Sequence, residues 1–279
     1  MPFAGADVVL ETHWWMTQMP PVAIWTLGMS LLLGLVTWKV RAATLFGALA
    51  GAAITASLMF STATFPYWPW HTALMPVLAV ALLAFVCTLL GRGKKERIGT
   101  AEDRHGRSAA QVAANLGVAA LVSNAFVTNW FTDSQWLMRA TAEPTLMFSV
   151  ALAALAEAAA DTASSEVGQV FGGRPRMITT LRRVEPGRDG AVSLAGTVAG
   201  VVAASIVATA GTVALGGGRT MFAISCAGGV FGLLFDSLLG ATLEERGWLN
   251  NDAVNFLSTL SAAGFALVAL ALLPQLFRT

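Results

Sequence analysis

The sequence predicts an all-α polytopic integral membrane protein, a bundle of about eight transmembrane helices with the N- and C-termini outside. Three observations carry that expectation. Of the 279 residues, 56% are hydrophobic and only 12% are charged, about half the charged fraction of an ordinary soluble domain. The apolar residues fall in long unbroken blocks, each able to cross about 30 Å of hydrocarbon at 1.5 Å per residue. Strand alternation is absent, and a chain in lipid satisfies its backbone hydrogen bonds only within helices or a closed barrel.

The blocks run over roughly 22–38, 42–60, 72–90, 108–128, 145–163, 193–215, 220–242 and 253–273. The first follows 21 residues without Lys or Arg. The basic n-region of a signal peptide is therefore missing, and the N-terminus is expected to be retained. The second and sixth carry Gly47-x-x-x-Gly51 and Gly196-x-x-x-Gly200, a spacing that lets helices approach closely, either inside the bundle or at a possible homodimer face. Cys87 and Cys226 lie inside apolar blocks, which argues for packing rather than a disulfide or zinc site. The longest polar loop has about thirty residues, too few for a soluble domain. The chain reads as one membrane domain over 1–279: three spans and a basic loop over 1–105, then a catalytic bundle over 106–279 with a cytoplasmic loop at 164–192.

Charge sets the expected orientation. Four alternate loops, 39–41, 91–107, 174–188 and 243–252, hold 14 of the 17 Lys and Arg residues. The positive-inside rule places them in the cytoplasm, in a membrane of the bacterial inner type. The other loops carry aromatic interface anchors: His13-Trp14-Trp15, Tyr67-Trp68-Pro69-Trp70, and Trp130-Phe131 with Trp136.

The fifth block ends in Glu157, Asp161, Ser165 and Glu166. Acids at the end of a lipid-embedded segment are costly and mark an ion, substrate or proton site, unless they snorkel into interfacial water. Glu157, Asp161 and Ser165 share one helix face at i, i+4 spacing, whereas Glu166 joins them only if the helix ends or bends near Ser164. Arg107, Gln111 and Asn115 share a face of the fourth helix. The loop after the acids offers Thr179, Thr180, Arg182 and Arg183, hydroxyls and guanidinium forks suited to phosphate oxygens, although the positive-inside rule alone accounts for basic residues here. Ser193 opens the sixth helix, whose free N–H groups suit an anion. Asp236 lies near the inner end of the seventh. Asn250, Asn251 and Asp252 start the eighth, where an Asn caps the helix and Asp252 favours its positive end; capping leaves Asn255 unexplained. Asp161, Glu166, Asp236 and Asp252 beside Arg107, Arg182 and Arg183 suit a magnesium-bound polyphosphate, acids on the metal and arginines on the oxygens.

The same residues resemble a family. Ala160-Asp-Thr-Ala-Ser-Ser-Glu-Val-Gly168, Arg174-Pro-Arg-Met-Ile-Thr-Thr180, Val184-x-Pro-Gly187 through Gly190-x-Val-Ser193, Asp236-Ser-x-Leu-Gly-Ala-Thr242 and Asn251-Asp-Ala-Val-Asn255 are similar to the signature blocks of the multi-pass membrane proteins that include phytyl-phosphate kinase. The match runs from about Gly106 to the C-terminus. Two departures stand out: Ala163 in place of a Trp, and Arg188-Asp189 in place of a Thr-Asn pair.

The resemblance implies transfer of the γ-phosphoryl group of CTP, or another nucleoside triphosphate, onto a prenyl monophosphate. Magnesium would be held by Asp161, Glu166, Asp236 and Asp252. The substrates would meet Arg107, Gln111, Asn115, Ser165, Thr179, Thr180, Arg182, Arg183, Ser193, Asn251 and Asn255. Such an acceptor is already an anionic nucleophile, so no histidine base is required, and the task is to relieve repulsion between two anions. A Walker motif is absent. Two other classes fit similar groups: a cytidylyltransferase forming a CDP-lipid, and a transporter or flippase for an anionic lipid or phosphate. The expected partners are a prenyl monophosphate, a nucleotide and membrane lipid; nucleic acid is not among them.

Overall fold

The computed structural model describes residues 17–64, 67–101, 105–124, 127 and 147–276. Each apolar block gives one helix: α1 (Met19–Lys39), α2 (Leu45–Ser61), α3 (Leu74–Leu89), α5 (Ala109–Ser123), α6 (Phe148–Phe171), α7 (Leu194–Ala214), α8 (Arg219–Leu239) and α9 (Asn251–Leu276). A short polar helix, α4 (Arg92–Ile98), follows α3. The α8 helix runs on through a π turn at Gly240–Glu244. Side-chain caps fix the starts. Thr44 accepts from Gly47 N, Ser108 and Gln111 form a reciprocal capping box, and Ser193 accepts from Gly196 N.

Among the described residues, four stretches are long and apolar enough to cross a membrane unaided: Met19–Lys39, Leu194–Ala214, Arg219–Glu244 and Asn251–Leu272. The α3–α4 pair, bent by 65°, adds a fifth if it is one span. The 17-residue α2 and 15-residue α5 reach only about 25 and 22 Å when straight. The chain is thus a helical membrane protein in which length and composition single out four or five spans. Trp14, Trp15, Trp130, Phe131 and Trp136, the start of the fifth block and both termini lie outside the described residues. Trp68 and Trp70 are described; their rings stack with centroids 5.0 Å apart.

The molecule is built around α6, which packs against α3, α5, α7, α8 and α9. Alanine explains its position: Ala153, Ala154, Ala156, Ala159 and Ala160 are fully buried, and with only a methyl group each they let five helices close on one axis. The glycine pairs serve the same internal packing. A Cβ on Gly196 would meet Ser164 O at 2.6 Å, and one on Gly200 would meet Ala160 O at 2.9 Å. Gly47 sits against the Arg107–Ser108 backbone, and Gly51 faces Val112.

Polarity runs inside out. Ile24, Leu27, Leu31, Leu194, Val198 and Val213 are exposed, while Glu157, Ser225, Ser258 and Thr259 are buried, an arrangement stable where the surroundings are lipid. Cys87 and Cys226 are both free thiols. The four basic loops meet at one end of the bundle. Ala43 bridges Arg107, Lys94 donates to Val170 O, Thr100 donates to Gln169, and Arg188 pairs with Glu245.

Candidate active site

At that end a polar pocket of about 210 Å³ opens between α6, α8, the start of α9 and the loop joining α6 to α7. Its wall from α6 carries Asp161, Ser164, Ser165, Gly168 and Gln169. Asp236 and Ser237 come from α8, and Gly240 and Glu244 from its π turn. Asn251 closes one side; Arg188, Asp189 and Ser193 close the other.

The loop reaches the pocket because two glycines let backbones touch. Strands β1 (Arg176–Met177) and β2 (Ala191–Val192) pair antiparallel and hold the loop ends together. Gly190 has φ +73, and a Cβ there would overlap the backbone and Cβ of Ala241. On the facing side a Cβ on Gly240 would meet Gly190 N at 2.8 Å. Only glycine combines the left-handed backbone with this approach.

Asp161 and Asp236, from different helices, stand side by side at the pocket floor, with Glu157 a turn deeper and Ser258 of α9 beside Glu157 and Asp236. Among the described residues, Oδ2 of Asp236 and Oε1 of Glu157 are buried without a hydrogen-bond partner, and such atoms are costly unless a ligand or ion meets them. Gly232 makes room for Glu157. At the rim, partial desolvation pushes the Asp189 carboxyl above its usual range, and Glu245 adds to the rise.

The remaining expected residues separate into groups. Arg107 approaches α6 beside the acid pair: its Nη2 donates to Thr162 Oγ1 at 3.3 Å, and its charge acts on Asp161. Asn115 lines the cavity beside Arg107 and donates to Gln111 O at 2.8 Å. Gln111 is occupied in the α5 capping box. Glu166 lies apart from the acid pair. It is buried, accepts from Lys95 Nζ at 2.5 Å and from Thr88 Oγ1 at 3.0 Å, and Lys95 also donates to the carbonyls of Cys87 and Thr88. Thr179, Thr180, Arg182 and Arg183 are exposed on the turn beyond β1 and do not line the pocket. Asn250 caps α9 by accepting from Ala253 N, which leaves Asn251 to the pocket. Asp252 and Asn255 do not line the pocket, and Asn255 is buried. Glu244 and Gln169 line the pocket without having been expected there, as does Asp189, expected only as part of the Arg188-Asp189 departure. Glu244 had no sequence signal, since a π turn is invisible to a 3.6-residue count.

Among the described residues, no three or more Asp, Glu, His and Cys side chains form a metal cage. Magnesium is more often held by one or two carboxylates and shared phosphate oxygens. Asp161 and Asp236, with one oxygen buried and unpartnered, fit that role. At about 30 Å³ per heavy atom, the volume of a water molecule, the pocket has room for roughly seven heavy atoms, enough for one phosphate group at the inner end of a nucleotide.

A family model described as integral membrane protein DUF92 matches residues 28–263. The chain is 41% identical over 109 residues to an uncharacterized membrane protein of Methanocaldococcus jannaschii, covering 39% of this chain and 45% of that one. It is 34% identical over 200 residues to an uncharacterized membrane protein of Synechocystis, covering 68% and 71%. The chloroplastic protein VTE6 of Arabidopsis thaliana is 28% identical over 214 residues, covering 75% of this chain and 62% of that one. The matched stretch is thus less than half of the Methanocaldococcus protein and less than two thirds of VTE6. No solved structure matches the chain.

Proposed function

Because the chain belongs to the DUF92 integral membrane family, and its blocks resemble those of the phytyl-phosphate kinases, we propose that it is a membrane lipid kinase. It transfers the γ-phosphoryl group of a nucleoside triphosphate, CTP first among the candidates, to a prenyl monophosphate. The observation that carries this reading is the acid pair Asp161–Asp236 at the floor of a phosphate-sized pocket, with the charge of Arg107 acting on Asp161.

In this reading the terminal phosphates enter beside Asp161, Asp236 and Glu244, under the Arg188–Gly190 loop. Asp161 and Asp236 would hold a magnesium ion, which would withdraw charge from the phosphate oxygens. Arg107 holds the acceptor phosphate and offsets its repulsion from the donor. An oxygen of the lipid monophosphate forms the new bond to the γ-phosphorus, the bond to the β-bridging oxygen breaks, and the nucleoside diphosphate leaves. Ser165, Ser193 and Asn251 orient oxygens by hydrogen bonds. Arg182 and Arg183 on the exposed turn steer the nucleotide toward the rim. The basic end faces the cytoplasm, and all eight apolar helices cross, α2 and α5 over a locally thinned bilayer.

The deciding experiment incubates purified protein with prenyl monophosphates and labelled nucleotides and reads the products by mass. The expected products are a prenyl diphosphate and a nucleoside diphosphate. A CDP-lipid with pyrophosphate, or counterflow of lipid phosphate without nucleotide turnover, overturns the proposal.

A further inference from the structure

A second and larger cavity, about 550 Å³, lies beside the first, touching α6 at Ala158 and lined mainly by α1, α2, α3 and α5. Its lining from α3 is Val77, Val80, Ala81, Ala84, Phe85, Thr88 and Leu89, spaced on one helix face over thirteen residues. That face is about 18 Å long, close to the depth of one leaflet, half of a core about 30 Å thick. The opposite wall is made of small residues, Gly47, Ala48, Gly51 and Thr55 of α2. Mostly apolar, with Thr37, Thr55 and Asn115 among its lining, the cavity becomes charged at the end where the basic loops meet. There it is lined by Arg41, Arg92, Glu96 and Arg107. Glu96 pairs with Arg92, so the mouth carries a net positive charge.

We infer that this cavity holds the hydrocarbon tail of a single-chain lipid monophosphate whose phosphate sits at the mouth between Arg41 and Arg107. The inference rests on the kinase reading for its acceptor and goes beyond it by placing the tail and bounding its size. At about 30 Å³ per heavy atom, 550 Å³ takes roughly eighteen atoms. That matches one tail of fifteen to twenty carbons and is too small for the two acyl chains of a glycerolipid. Charge complementarity fixes the direction, because among the described lining residues the positive charges lie at the mouth. Arg107 then links the two chambers: it lines this cavity and donates to Thr162, the neighbour of Asp161 on α6.

Two space-filling variants test it, Gly51→Leu and Ala81→Phe. A Cβ at Gly51 meets only Val112, at 3.6 Å, so the larger side chain grows into open space. The expected result is a KM for a twenty-carbon prenyl monophosphate raised on the order of tenfold, with the ten-carbon acceptor and the nucleotide KM unchanged. A second readout needs no turnover: a twenty-carbon monophosphate with a diazirine near its tail end is photolysed on the purified protein and the labelled peptides are sequenced. Labels on α2 and α3 that are lost in the filled variants support the inference. Labels confined to lipid-facing residues such as Leu194 or Val213, labels indifferent to filling, or displacement by a diacyl phosphatidate overturn it. Specific labelling without turnover keeps the tail site and removes the kinase reading, whereas turnover with an unmoved chain-length preference does the reverse.

Discussion

At the scale of single residues, two carboxylates in one stretch of helix have opposite circumstances. Asp161 faces a second acid across the pocket floor, whereas Glu166, five residues on, is held by Lys95 and Thr88. Asp161→Asn keeps the shape and removes the charge that holds a cation. It is expected to lower turnover by at least about a hundredfold with the detergent-solubilised protein still folded, as read by its elution profile and melting curve. Near-normal turnover would remove Asp161 from the chemistry. Glu166→Gln leaves the ammonium of Lys95, 1% exposed, without its counter-charge. The expected cost is about 3–5 kcal/mol of stability, seen as a lowered melting temperature. Lys95→Met combined with Glu166→Leu should recover most of that loss, because no buried charge is then left uncompensated. The i, i+4 spacing already separated Glu166 from the Glu157–Asp161–Ser165 face. What it could not supply was the partner, which arrives from a helix about seventy residues earlier.

At the scale of elements, the site depends on a loop docked against a π turn. Gly190→Ala places a methyl group where the Ala241 backbone already lies and forces an alanine into a left-handed conformation, costing about 1–3 kcal/mol locally. The expected result is a raised nucleotide KM with little change in the yield of folded protein; an unchanged KM would mean that the loop plays no part in nucleotide binding. The turn signals Pro186-Gly187 and Asp189-Gly190 were legible in the sequence, but the surface they dock on was not. Caps were legible too, because a cap is a local hydrogen bond. Ser193 and Asn250 cap as their residue types suggest, and Gln111, which shares a helix face with Arg107 and Asn115, is spent in a capping box.

At the scale of the whole molecule, the alternation of basic and aromatic loops predicts which end is inside. In a Cys87→Ala, Cys226→Ala background, Thr179→Cys and Thr220→Cys provide one exposed thiol at each end. With sealed vesicles of known orientation, an impermeant maleimide should label Thr220→Cys from the outside and Thr179→Cys only after the membrane is opened. Labelling of both from the same side would break the even count of spans on which the proposed orientation rests.

The sequence by itself determined the helical class, the position of every apolar helix and the gathering of basic loops at one end, since hydropathy, capping and charge act over a few neighbouring residues. Tertiary structure alone decided which charges meet. It set Asp161 against Asp236, gave Glu166 to Lys95, left Arg182 and Arg183 on an exposed turn and turned Arg107 toward a cavity the chain does not announce. The physical reason is that a partner across helices depends on how alanine and glycine faces let those helices close, and that fit is a property of two surfaces rather than of either stretch of chain.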